Sequence, residues 1–506
     1  MVLGLCMTLP PQLGYSSTNH LQRALELVNR GDLVAAESEA ELAANDPATR
    51  AVAWATLGTI RLQQKRYDEG AELLRKALSL DSHLVGARIS LGGVYLLEGK
   101  KDQAREQFRQ ALRYDPTNYN ARANLADLES EAGNYKASLE TAKPIVAQLR
   151  QSPEGLMLVA KDYAGLQRKD SVRELVSDWK NLPPVATDSS IEFASLLVKT
   201  GLIHEAIDIL EQAKRANPSS YRLNLTMGDC YLSANDLGKA SASYEAALSL
   251  KDGCVPCLQG LAQIADRQGN TEKALAYLIR ARHIEPENPD VLFEFGKVCL
   301  ERDLVDDALT ALKKAVALRP EQDSYVYVLA SAHVAKGQYS EARSLLEELL
   351  HKHADDAVLN YALGAVLYLE FNFSAAQSYL QKSVRLRPDQ SAAYYYLGLI
   401  EEKNGNNDRA IETFRDILRR YPNHATTYEA LGAILMKQKM YPDAEAALEK
   451  AIALDPGLVK AHYQLGMLLG RMGKAAESSE QTEIAQKLES GRKAKSELQL
   501  HLLMPE

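Results

Sequence analysis

Cysteine is scarce in this chain, with five in 506 residues. That is too few for a disulfide framework to organise a fold of this size. Positive charge is also in short supply. Lysine and arginine together number 59 against 67 aspartates and glutamates, a formal net charge of −8. No basic block is long enough to form a phosphate-binding patch, so nothing favours nucleic acid as a partner. No apolar run approaches the ~20 residues that a membrane-crossing helix needs. Catalytic signatures are missing too: there is no glycine-rich phosphate loop, no G-x-S-x-G and no H-E-x-x-H. The expectation is a protein without catalytic residues, cofactor or metal.

What the chain does have is a period. Residues 289–322, PDVLFEFGKVCLERDLVDDALTALKKAVALRPEQ, share a pattern with segments 34 residues on either side. A frame opened at Ser17 and stepped by 34 runs to Arg492 in fourteen units without insertion or deletion. Position 8 of the frame is Ala or Gly in every unit, from Ala24, Gly58 and Gly92 to Gly432 and Gly466. Position 20 is small throughout (Ala36, Gly70, Ala104 and so on) except at Val172. Two crossing helices that approach closely at these points leave no room for more. Position 32 is proline at 116, 184, 218, 286, 320, 388, 422 and 456, a residue that ends one helix and can open the next.

A unit of this length with these small residues, with aromatics at positions 11 and 17 and with proline at 32, resembles the tetratricopeptide repeat. The resemblance covers all but the chain ends. It implies an all-α, right-handed superhelical solenoid of about fourteen helix-turn-helix units, each packing on its neighbours so that the core grows along the chain. Units one to four occupy residues 17–152 and units six to fourteen residues 187–492. Unit five, 153–186, departs from the pattern. Val172 and Trp179 replace small residues at positions 20 and 27, and Pro183-Pro184 follows, so 176–190 reads as a joint. Residues 493–506 read as a C-terminal cap or tail. Residues 1–16 read as an apolar leader or the remnant of an export signal, since MVLGLCMTL lacks a basic front and a small-residue cleavage site. The compartment stays open between cytoplasmic and exported.

Because the resemblance places the first helix of each unit on the concave face, position 5 carries the candidate binding residues. It reads Phe293, Tyr327, Tyr361 and Tyr395 in four consecutive units, then Glu429, then Tyr463. Tyr368 at position 12 and Tyr396 at position 6 extend this aromatic ladder. Tyrosine suits a binding surface because it offers a large apolar area and a hydroxyl at low entropic cost; the same rings could instead pack between helices. Cys254 and Cys257 stand at C-x-x-C spacing at the start of a helix, which fits a structural disulfide or a thiol redox pair. His351 and His353, with Asp355 and Asp356, read as residues at a helix end, favoured there by the helix dipole, rather than as a metal site. No three consecutive units carry the Lys and Asn set with which chaperone-binding members of the family hold a C-terminal carboxylate. The function expected is a non-enzymatic scaffold or adaptor that binds an extended peptide or helix of a protein partner in its groove. Alternatives are an exported bacterial adaptor in envelope or polysaccharide assembly, and a thiol redox protein using Cys254 and Cys257. The oligomeric state is open.

Overall fold

The computed structural model describes residues 17–491. The expected leader at 1–16 and tail at 493–506 lie outside the described residues. All regular structure among the described residues is helical. The chain divides into two compact units, one up to Lys251 and one from Asp252. Each consists of helical hairpins on the 34-residue frame.

Within a hairpin the sequence dictates the geometry closely. In the third repeat the first helix is Val85–Leu97 and the second Lys101–Tyr114. The same thirteen- and fourteen-residue lengths recur in Pro289–Glu301 and Val305–Leu318. The three-residue turn between them is closed at position 15, which adopts a left-handed backbone in every repeat. Eight repeats place glycine there, such as Gly99 at φ 73° and Gly405 at φ 79°; six place Lys65, Gln167, Asn235, Asp303, Phe371 or Lys439 there, at φ 58–62°. The following N–H then donates back to the carbonyl at position 11, as Lys100 does to Tyr95 at 2.8 Å. This is the Schellman helix ending, and it needs a left-handed residue to form.

The small residues at positions 8 and 20 mark where the paired helices touch. A Cβ on Gly92 would lie 2.6 Å from the Phe108 ring, and one on Gly228 2.5 Å from Tyr244. Gly70, at position 20, faces Leu62 from the opposite side, at 2.5 Å. Position 8 therefore makes room for the large residue at position 24, and the aromatic examples, Phe108, Tyr244 and Phe414, all stand against glycine. First helices also contact the first helices of adjoining repeats, as Ala357–Leu369 does with Ser391–Lys403. The prolines at position 32 lie in the turns between repeats and do not open the next helix: Pro116 precedes Asn118, whose side chain caps Tyr119–Glu131 by accepting from the Ala121 N–H at 3.1 Å. Proline does stand in the first helical turn at Pro153 and Pro289.

Two places depart from the regular hairpin. In the fourth repeat the second helix is interrupted: Tyr135–Ala142 passes through a 3-10 turn at Lys143–Ile145 into Val146–Leu149. Pro144 is the cause, because it has no N–H to donate to the preceding turn. In the fifth repeat Val172 is fully buried and Trp179 lies flat on Phe193 of the next first helix, ring centroids 4.2 Å apart. The indole fills the space that a small residue leaves elsewhere. Helix Lys169–Asn181 then ends, and Pro183-Pro184 sits in a non-helical linker before Thr187.

Candidate functional site

The line of position-5 residues lies in the second compact unit, and helical periodicity decides its fate. Positions 5, 8 and 12 fall on one stripe of a first helix, so a ring at position 5 lies close to the contact between neighbouring first helices. Tyr361, Tyr395 and Tyr396 are 1%, 7% and 3% exposed. Tyr361 and Tyr396 approach with centroids 6.2 Å apart, Tyr368 meets Tyr396 edge-on at 5.2 Å, and Tyr395 packs on Phe414 at 5.9 Å. These rings form one cluster spanning two repeats, and Tyr361, Tyr395 and Tyr396 present almost no area to a partner. Burial pushes all three phenols well above their ordinary range.

The other predicted residues keep some surface. Phe293 is half-buried and stacks on Tyr325 at 4.4 Å. Tyr327 and Tyr368 are half-buried, and Tyr463 is 52% exposed. Tyr463 shares its face of helix Val459–Arg471 with Met467, also exposed, one helical turn on. The ladder is thus split into a buried middle and a more open periphery.

Several participants are not visible in the sequence pattern. Glu429 stands at position 5 where its neighbours carry tyrosine, and it is buried. Its carboxylate is held by Lys460 of the next first helix, Nζ to Oε1 2.9 Å and to Oε2 3.1 Å. A charge at a position that elsewhere carries rings was the available signal, since a buried carboxylate requires a cation. Tyr325, at position 3, donates its hydroxyl to Asp290, which Arg319 also holds at 2.8 Å. Those two contacts keep the Asp290 carboxyl below its usual range.

The cysteine pair is bonded: Cys254 and Cys257 form a disulfide. Cys254 is also the N-cap of Val255–Arg267, accepting from the Cys257 N–H at 3.1 Å, and both residues are fully buried. Cys230 and Cys299 are buried free thiols pushed up by burial to about 12. His353, exposed, sits 2.7 Å from the Asp323 carboxylate. No group of three or more metal-ligating side chains occurs among the described residues, and none of their helices is long and apolar enough to cross a membrane.

Comparison with known proteins agrees with this architecture. Tetratricopeptide-repeat families match residues 51–83, 95–161, 191–253, 372–425 and 401–459. Residues 258–374 match the middle TPR-like domain of cilia and flagella-associated protein 70. Human protein O-mannosyl-transferase TMTC1 is 26% identical over 155 residues, 29% of this chain and 18% of that protein. The BBSome complex member BBS4 of Xenopus tropicalis is 23% identical over 158 residues, 30% of each chain. The chain thus spans less than a third of the length of these curated relatives. A tetratricopeptide repeat protein from Parabacteroides merdae superposes with TM-score 0.40 at 20% identity, over 49% of this chain and 98% of its own. An array of this kind is a scaffold for protein–protein interaction, and with its 34-residue frame, paired helices and matched repeats, the chain belongs to the tetratricopeptide-repeat family.

Proposed function

We propose that this protein is a non-enzymatic scaffold or adaptor that holds an extended segment or helix of a partner protein against its first helices between Phe293 and Tyr463. One observation carries the reading. Phe293, Tyr327, Tyr368 and Tyr463 keep part of their ring surface open, while Tyr361, Tyr395 and Tyr396 are locked beneath in a rigid bed. Rigid, partly exposed aromatics bind with little loss of conformational freedom, and a few such anchors dominate an interface. Burial also decides the test. Removing Tyr361 or Tyr395, or Tyr368 that packs on Tyr396, would open a cavity and confuse binding with folding, so the variant is Tyr327→Ser, Tyr463→Ser. Wild type and variant are used as paired baits in native extract, with circular dichroism confirming equal helix content. A protein bound by wild type and lost by the variant, then confirmed by titration of its purified segment, supports the reading; identical captures sink it.

A second reading, an exported adaptor, is favoured by the Cys254–Cys257 disulfide, because disulfides persist mainly in oxidising compartments. Alkylation of thiols in intact source cells followed by mass measurement tests it: a fully reduced pair removes its support. The thiol-redox reading gains nothing from this geometry, since exchange requires an accessible sulfur and both are buried.

A further inference from the structure

The tenth residue of the repeat lies in the core. From the second repeat on it is apolar, as at Ile60, Val94, Leu128, Ile264 and Ile434, with one exception. In the fifth repeat it is Asp162, which is fully buried. Neither of its carboxyl oxygens makes a hydrogen bond of regular geometry, and nor does the Oγ of Ser138, the fully buried hydroxyl that faces it. A carboxylate so placed lacks the partners that a buried charge requires.

The contact that holds it is tight. Helix Pro153–Gly165 packs on the interrupted second helix of the fourth repeat across two glycines, Gly155 against the Leu149 carbonyl and Gly165 against the Tyr135 ring, and neither has room for a Cβ. Burial holds the Asp162 carboxyl above its ordinary range; the Ser130 and Ser138 hydroxyls and Lys161 on its own helix offset part of that, and Asp127 adds to it. The remaining charges of the surrounding helices are engaged elsewhere or exposed. On Tyr119–Glu131, Glu129 pairs with Arg109 at 3.0 Å and Glu131 with Lys101 at 2.8 Å. On residues 135–150, Lys136, Glu140 and Lys143 are exposed and Arg150 pairs with Asp178 at 2.5 Å. On Lys169–Asn181, Arg173 pairs with Asp170 and Glu205, Lys180 pairs with Asp208, Lys169 donates to the Gly201 carbonyl, and Glu174 is exposed. On Thr187–Lys199, Asp188 pairs with Arg222, and Glu192 and Lys199 are exposed.

Asp162 is out of water's reach in this contact, so its ionisation and the close packing exclude each other. We propose that the junction of the fourth and fifth repeats is a proton-controlled joint: while Asp162 carries its proton, helix Pro153–Gly165 stays seated on residues 135–149, and when the proton passes to solvent the two part and the carboxylate is hydrated. The closed form holds the proton more tightly than the parted form, so acid favours closure. Parting begins as pH passes the ordinary aspartate value, about 4, and reaches its full extent at the raised value of the closed form. The 3-10 turn at Lys143–Ile145, where the helix is already broken, is the place that yields. The joint lies in the first compact unit and does not depend on the partner-binding reading of the second.

The test is hydrogen exchange of the full chain, read by mass spectrometry between about pH 4 and about pH 8 and corrected for the intrinsic rate at each pH. In wild type the opening equilibrium of residues 135–149 and 153–165 should rise with pH, by at most about tenfold per unit because one proton is involved, and then level off. In Asp162→Asn, and in Asp162→Leu, which restores the apolar residue type of the other repeats, it should not change with pH. Helix Ala425–Lys437 should show no such dependence in any of the three proteins. Wild-type exchange that is independent of pH overturns the proposal. So does a slope that survives both substitutions, which would assign it to another carboxyl such as Asp127. So does the same slope in Ala425–Lys437, which would mean global unfolding.

Discussion

The left-handed turn at position 15 supports a prediction that separates backbone strain from every other contribution. Six repeats place a residue with a side chain at φ 58–62°, and a left-handed backbone costs an L-residue about 1–2 kcal/mol. Substitution by glycine removes that cost. It also loosens the unfolded chain, which takes back about 0.4–1 kcal/mol. Nothing lies within 4 Å of a Cβ at the equivalent glycines Gly99, Gly133 and Gly269, so packing enters on neither side. The expected gain is therefore about 0.5–1 kcal/mol for each of Lys65→Gly, Gln167→Gly and Lys439→Gly, from those two principles together. For Asn235→Gly and Asp303→Gly it should be close to zero, because Asn and Asp tolerate the left-handed region. The measurement is the urea midpoint followed by far-ultraviolet circular dichroism, with amide exchange across the substituted turn as a local check. Lysine and asparagine sites that respond alike would refute strain as the cause. So would a loss of stability at Lys65→Gly, which would mean that the lysine side chain makes a contact the geometry does not show.

Glycine at position 8 should respond in the opposite sense, for a different reason. Gly92→Ala drives a methyl against Phe108 and is expected to cost about 1–3 kcal/mol; if the clash is the cause, the same substitution costs little in a Phe108→Ala background, and denaturation of the four proteins of that cycle decides. Lys460→Met strands the buried Glu429 carboxylate. A loss of about 2 kcal/mol is expected, less than for a fully buried pair because the lysine is largely exposed, and Glu429→Gln in the same chain should restore most of it. Asp162 is fully buried, and burial raises its carboxyl above the ordinary range, with the Ser130 and Ser138 hydroxyls offsetting only part of that. A raised folded-state value means that the native form holds the proton more tightly than the unfolded chain. The group therefore favours folding in acid and loses that contribution as pH rises from the unfolded to the folded value. Asp162→Asn should then stabilise at neutral pH, with the advantage over wild type shrinking toward acid; an advantage independent of pH would contradict the assignment. Reducing the Cys254–Cys257 disulfide opens a four-residue loop, for which loop-closure entropy gives about 2 kcal/mol, measurable as a fall in the urea midpoint under dithiothreitol.

A period of 34 with small residues at two fixed positions was enough to identify the helical hairpin, because it depends on local backbone geometry and on one close approach repeated fourteen times, whereas the prolines at position 32 turned out to precede the next helix rather than open it. The same period specifies left-handed turns even where glycine is absent, since the frame, not the residue, sets φ at Lys65 or Phe371. Pro144 could have been seen as a helix breaker, since a missing N–H is also a local fact. Which aromatic faces water was not local. Tyr361 and Tyr463 occupy the same position in two different repeats, yet one is buried among rings of the adjoining repeat and the other is half open. The difference lies in what the adjoining helices place against each ring, and identical positions within the repeat carry no record of that. The same holds for Glu429, whose partner lies 31 residues away on another helix, and for Asp162, whose facing hydroxyls, Ser130 and Ser138, come from the preceding repeat. Sequence alone determined the unit and its count; only tertiary packing decided which side chains are structure and which are surface, because burial is a property of neighbours and not of residues.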